Sequence, residues 1–160
     1  MDEATPISMG KFVLTIDASD LAGQIASLIN AGGQLKFLVS RDSILCNNIR
    51  YLVELHKDKV IGTIGLEKCN QFVTEIKHLC VHPEYRRQRL GKKLLDRGVK
   101  SSLTEIVFGT VRSDNAVSIR NCLSRGMIPI GKRTKRTYSI IIFARRRDGA
   151  KLYRRRTQRY

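Results

Sequence analysis

Three β-rich runs, then a proline stop, a basic loop and a helix with one apolar face, all within residues 51–100, constrain this chain more than any other feature. Tyr51 to Leu55 and Val60 to Leu66 flank His56-Lys57-Asp58-Lys59, which has the composition of a hairpin turn. A third run, Phe72 to Val81, follows Lys68 to Gln71, and the three predict an antiparallel meander. Pro83-Glu84 stops the third strand. Leu90, Leu94, Leu95 and Val99 then fall on one side of a helix from about Gly91 to Lys100. A helix of that pattern has to cover one face of the sheet.

The remaining segments fit around this unit. Phe12 to Ile16 alternates like a short strand, and Asp17 to Asp20 offers caps for a helix over Leu21 to Asn30, closed by Ala31-Gly32-Gly33. Leu35 to Ser40 reads as a strand or helix edge, and Arg41 to Asn48 as irregular. Beyond the central helix, Ile106 to Val111 predicts a strand and Ser113-Asp114 caps a helix running to about Ser124. Gly126 ends that helix, and Ser139 to Ala144 forms a last strand. There is no internal repeat or linker, and 160 residues suit one domain rather than two.

Composition excludes several classes. The 42% hydrophobic content is spread along the chain and offers no transmembrane run. Asp2 and Glu3 stand where a secretory signal would carry basic residues, so a cytoplasmic location is expected. Cys46, Cys69, Cys80 and Cys122 are far apart with no CxxC pair. They read as reduced, mostly buried thiols, with neither a disulfide framework nor a metal site. Charge is the more telling property. Residues 1–80 carry 8 Lys+Arg against 9 Asp+Glu, a net −1, whereas residues 81–160 carry 22 against 5, a net +17. So one-sided a charge favours an anionic partner, whether cofactor phosphates, nucleic acid or an acidic protein, over the alternative of a solubilising surface.

The segment Val81-His82-Pro83-Glu84-Tyr85-Arg86-Arg87-Gln88-Arg89-Leu90-Gly91-Lys92 gives that charge a specific use. A helix N-terminus exposes unpaired N–H groups and the positive end of its dipole, and flanking Arg and Lys add charge for phosphate oxygens. Arg86-Arg87-Gln88-Arg89-Leu90-Gly91 resembles the central motif of the GNAT N-acetyltransferases, Arg/Gln-x-x-Gly-x-Gly/Ala. The resemblance runs in order from Val53 through Ile61-Gly62-Thr63-Ile64-Gly65 to Arg125-Gly126-Met127. It implies an α/β fold with a mixed, mostly antiparallel sheet of about six to seven strands flanked by helices. The domain would cover residues 1–146, leaving 147–160 as a basic tail. It also implies acetyl-CoA as cosubstrate, held by Arg86, Arg87, Gln88, Arg89, Leu90, Gly91 and Lys92. Arg89 stands where the family has its first Gly, and its Cβ fits if the local φ stays negative, as in a helical first turn.

In the family the strand ahead of this loop carries a bulge whose free backbone groups hold the pantetheine arm. That implicates Leu79, Cys80 and Val81. Glu75, eleven residues before Arg86, falls where the histone-type members place their general base; the alternative is a strand carboxylate paired with a cross-strand Lys. His78 and His82 on the same strand are proton relays or structural histidines. Asn115 and Ser118, on the helix that closes over the CoA arm, are the implied cofactor contacts there. Cys122 occupies the place of a Tyr that protonates the CoA sulfur. It is either a thiol acid or a small buried residue, with water or Tyr138 as the donor.

Three functions stay open: an enzyme acetylating a primary amine, with the acceptor on nucleic acid or a nucleic-acid-bound protein; a GNAT-fold nucleic-acid-binding module with little or no catalysis; and an acetyltransferase for a small amine metabolite. The run Arg145, Arg146, Arg147, Lys151, Arg154, Arg155, Arg156 and Arg159, opposed only by Asp148, is the expected contact for a nucleic acid. No membrane partner is expected.

Overall fold

The computed structural model describes residues 17–33, 35 and 37–152. The expected strand at Phe12 to Ile16 lies outside them. Asp17 caps α1 (Ala18–Ala31) by accepting a hydrogen bond from the Ser19 N–H at 3.1 Å. Ser40 does the same for the N–H of Ser43 at the start of α2 (Arg41–Cys46). That short helix falls in the stretch expected to be irregular: at six residues it is too short to show a period, and its cap is its main sequence mark.

The meander forms as expected, with β1 (Ile49–His56), β2 (Lys59–Lys68) and β3 (Val73–Val81) antiparallel. Lys57 and Asp58 both take positive φ, which makes the β1–β2 connection the twisted two-residue turn that suits a hairpin. Alternation along β1 then splits the core. Tyr51 and Val53 pack with α1, while Leu52 joins the cluster on the opposite face. That second cluster is built by α3 (Leu90–Ser101), whose Leu90, Leu94, Leu95 and Val99 meet Ile61, Ile64, Leu66 and Ile76 of the sheet.

After α3 the chain enters β4 (Ile106–Arg112), which pairs parallel with β3. α4 (Ala116–Ser124), β5 (Ile128–Thr134) and β6 (Ser139–Arg146) follow, and β6 closes back antiparallel on β4. The sheet order is β1-β2-β3-β4-β6-β5. Over the described residues this is an α/β fold with a six-stranded, mostly antiparallel mixed sheet flanked by helices. The sequence does not announce β5 because Pro129, Gly131, Lys132 and Arg133 break its pattern, as suits an edge strand with a solvated face. No helix among the described residues is long and apolar enough to cross a membrane.

Candidate functional site

Two irregularities in β3 create the site. Its parallel pairing with β4 covers only Val73 to Ile76 against Ile106 to Gly109, after which the strands separate. From Lys77 to Val81 the β4-facing edge of β3 therefore has no ladder partner, while Thr110 to Arg112 pair with β6 alone. The second irregularity is a bulge, where the register against β2 slips between Lys77 opposite Gly65 and Cys80 opposite Thr63. His78 sits in it with φ +53°. The opened edge thus begins beside the bulge that the sequence resemblance implies.

A cleft of about 900 Å³ runs through this gap. Leu79, Cys80 and Val81 of β3 line it, as do Leu28, Ala31 and Gly32 at the end of α1. It is also lined by the first turn of α3, and by Asn115, Ser118 and Asn121 of α4. The cleft therefore has walls from elements on both faces of the sheet. Of the residues expected to hold a cofactor, all but one reach the wall. Gln88 is the exception, directing its amide toward the carbonyl of Glu84.

The loop before α3 is held by Arg86, whose Nε donates to the carbonyl of Val81 at 3.1 Å, fastening the loop to the strand end. Arg87 and Arg89 then both take left-handed conformations, φ +63° and +60°. The condition that Arg89 keep a negative φ is not met: as the residue capping α3, it turns the chain into the helix from the left-handed region. The Gly that the family places there avoids the resulting cost of about 1 kcal/mol. Arg89→Gly is accordingly expected to raise the midpoint of thermal unfolding by about 2–4 °C, read from a melting curve of the free protein. An unchanged midpoint would mean the left-handed Arg is not strained.

Among the described residues no side chain caps α3, and its first turn carries no acid, so its leading N–H groups face the cleft among Arg86, Arg87, Arg89 and Lys92. On the α4 side, Asn115 Oδ1 accepts from the N–H of Ser118 at 3.1 Å, which caps that helix and leaves the amide nitrogen for a ligand. A second, shallower depression of about 360 Å³ follows α3 and is lined by Arg89, Lys92, Lys93, Asp96, Arg97, Lys100 and Arg125. Part of its charge is already matched: Lys93 and Arg97 bind Glu54, and Arg125 binds Asp96.

The two expected catalytic side chains are not on the cleft wall. Glu75 lies four residues before Leu79 and pairs with Lys77 at 3.4 Å, and Lys77 also binds Glu67. Cys122, read as a possible thiol acid, is turned into the core with Met127 and Phe143, and burial pushes its thiol up to about 11. Cys80 does line the cleft, and burial likewise pushes it up to about 11. Tyr138 lies under the Arg112 guanidinium at 4.0 Å, and Arg112 in turn chelates Asp114. The cysteine expectation is corrected in part, since Cys46 and Cys69 are exposed. All four are free thiols, and no metal-binding group of His, Cys, Asp or Glu occurs among the described residues.

Sequence reasoning missed Tyr51, whose hydroxyl lies 2.8 Å from His78 Nδ1, with the two rings stacked. Tyr51 reaches across β2 because the intervening position is Gly65, where a Cβ would come within 3.2 Å of the ring. Burial, reinforced by the charge of Lys77, lowers the pKa of His78. Asn121 was missed too. Nothing in the sequence marked either residue, because each acquires its role by contact with a distant strand or helix.

The basic run at the end of β6 is used largely within the fold. Arg145 donates to the carbonyl of Arg125, Arg146 pairs with Glu105 and Asp148, and Arg147 reaches the carbonyl of Ser102 at 3.0 Å. Arg154, Arg155 and Arg156 lie outside the described residues.

A family model described as the acetyltransferase (GNAT) family matches residues 31–127. A search among curated proteins finds no match. Among solved structures the chain is similar to yncA from Salmonella typhimurium with its cofactor acetyl-CoA, at 20% identity over 84% of this chain and 92% of that one, with a TM-score of 0.70. It is similar to Ard1 from Thermoplasma volcanium at 20% identity, over 78% and 92% of the two chains, with a TM-score of 0.64. An N-acetyltransferase from Staphylococcus aureus Mu50 superposes at 13% identity over 81% and 94%, with a TM-score of 0.70. At these identities the structural likenesses speak for a shared fold.

Proposed function

Since this chain belongs to the acetyltransferase (GNAT) family, we propose that it transfers acetyl from acetyl-CoA directly to a primary amine carried by a nucleic acid or a nucleic-acid-bound protein. The observation that carries the transfer is the cleft at the β3–β4 separation, entered beside an uncapped, Arg-flanked helix N-terminus. The cradle fits the cosubstrate: the α3 N–H groups with Arg86, Arg87, Arg89 and Lys92 suit a pyrophosphate, and the unpaired edge at Leu79 to Val81 suits the amides of a pantetheine arm. When bound, acetyl-CoA supplies an activated thioester carbonyl.

The amine has to lose a proton as it attacks. Glu75 is the proposed acceptor, placed beside Lys77 at 3.4 Å, with His78 on the same strand as the rival. Cys122 drops out of the proposal as acid: a thiol at about 11, facing the core, is a poorer proton donor than the ordinary thiol near ~8.5 that would be leaving. The sulfur of a thiol of pKa ~8.5 can leave as the thiolate and take a proton from bulk solvent afterwards, so the step needs no acid in the cleft.

A nucleic-acid-linked acceptor is favoured over a free metabolite by the net +17 of residues 81–160. Because Arg145, Arg146 and Arg147 are engaged within the fold, that role falls to Arg154, Arg155, Arg156 and Arg159 with the exposed cations of α3. Release of CoA thiol on adding spermidine, a lysine peptide or an aminoacyl-tRNA is expected to be fastest with the RNA-borne amine and to fall steeply with salt. Each phosphate contact on a single strand contributes ~0.7 to the logarithmic salt slope. Truncation after Leu152 should flatten that slope without touching acetyl-CoA affinity. Salt-insensitive turnover of spermidine alone would favour the metabolite reading, and salt-dependent RNA binding without turnover would favour the binding module.

A further inference from the structure

Asn121 occupies a place in the cleft that neither the sequence motif nor the family resemblance assigns. On the α4 side Asn115, Ala116, Val117, Ser118, Arg120 and Asn121 all line the cleft, and the uncharged polar groups among them, at Asn115, Ser118 and Asn121, recur every three residues as a polar stripe. The next residue, Cys122, is rotated about 100° further round the helix and points into the core. The stripe ends against α3: a Cβ placed on Gly91 would lie 3.3 Å from the Asn121 amide nitrogen and 3.7 Å from Val81 Cγ2. Gly91 is therefore small not only to admit a ligand but also because the Asn121 carboxamide occupies the space beside it.

The hydrogen bonds of this carboxamide are the informative part. Its side chain has no hydrogen-bond partner among the described residues, although it is partly buried. The N–H groups of the first turn of α3, beside it, have no side-chain cap either. Donors from two helices thus lie side by side, with no acceptor bonded to either among the described residues. A group with several acceptor oxygens and negative charge satisfies both sets at once.

We propose that Asn121 is a further arm of the cofactor site, donating from α4 to the pyrophosphate that the α3 N-terminus receives, so that the bound cosubstrate bridges the two helices. This rests on the acetyltransferase reading given above. Two probes separate the roles: acetyl-CoA, and S-acetylpantetheine, which lacks the pyrophosphate. Asn121→Ala is expected to weaken acetyl-CoA about 10-fold, the loss of one hydrogen bond to a charged group. Asn121→Asp, which sets an anion against the phosphates, is expected to weaken it about 100-fold. Neither change should alter the affinity for S-acetylpantetheine, measured by competition calorimetry at millimolar ligand, or move the melting midpoint of the free protein by more than a few degrees.

Equal losses for both probes would show that Asn121 only packs the helices together. Unchanged acetyl-CoA affinity in Asn121→Ala would remove it from the site. A wild-type protein that binds neither probe would instead overturn the acetyltransferase reading itself.

Discussion

Gly91→Glu is expected to raise the acetyl-CoA dissociation constant by about 100-fold or more while the protein still folds. The position opens α3 between Leu90 and Lys92, where the uncapped N–H groups and four nearby cations make the most anion-attracting point of the cleft. A glutamate there acts in three ways. Its carboxylate caps the free N–H groups from within, it neutralises part of the charge meant for phosphate, and its Cβ crowds the Asn121 amide at 3.3 Å. Each charge-assisted hydrogen bond lost is worth about 1.5–3 kcal/mol, so losing two is enough for the effect. Folding should survive because acids suit a first helical turn and the crowded atom ends a flexible side chain. Calorimetry of the variant, with a melting curve as control, checks this; an unchanged dissociation constant would move the phosphate site away from α3.

The parts of this site that could be read from the sequence are those set by local chemistry. Arg86 to Lys92 is a contiguous string whose suitability for an anion follows from its position between a strand and a helix; the start of α4 was read within two residues from Ser113-Asp114, although the cap is Asn115. The meander was legible because alternation and turn composition agree within short windows. What escaped depends on distant strands and helices. Tyr51 meets His78 only because two strands pair across Gly65, and Asn121 meets Gly91 only because α4 folds against α3. The left-handed φ of Arg89 escaped for the same reason, since loop closure between β3 and α3 overrides the residue's own preference. The tail was legible only as a run of charge: the bonds of Arg145, Arg146 and Arg147 to Glu105, Asp148 and the carbonyls of Ser102 and Arg125 arise in the fold alone.

Glu75→Gln separates the two proton acceptors that β3 offers, and is expected to lower turnover by about 10² to 10⁴ with acetyl-CoA affinity unchanged. The carboxylate lies on the strand that enters the cleft and is held in place by its ion pair with Lys77. Glutamine keeps the shape and can still hydrogen-bond, but it cannot take a proton, and Lys77 retains Glu67 as a partner. Folding should therefore persist, and the loss should appear in the catalytic constant rather than in cosubstrate binding. His78 gives the contrasting result. Burial and Lys77 lower its pKa from the ordinary 6.5, so its neutral, proton-accepting form is gained as pH rises through a value below 6.5. If His78 is the base, Glu75→Gln leaves turnover nearly intact and the acid limb of the pH–rate profile is lost in His78→Asn, a substitution that tolerates the left-handed bulge. Retention of full turnover in Glu75→Gln across the pH range would remove the carboxylate from the reaction and leave it as the partner that anchors Lys77.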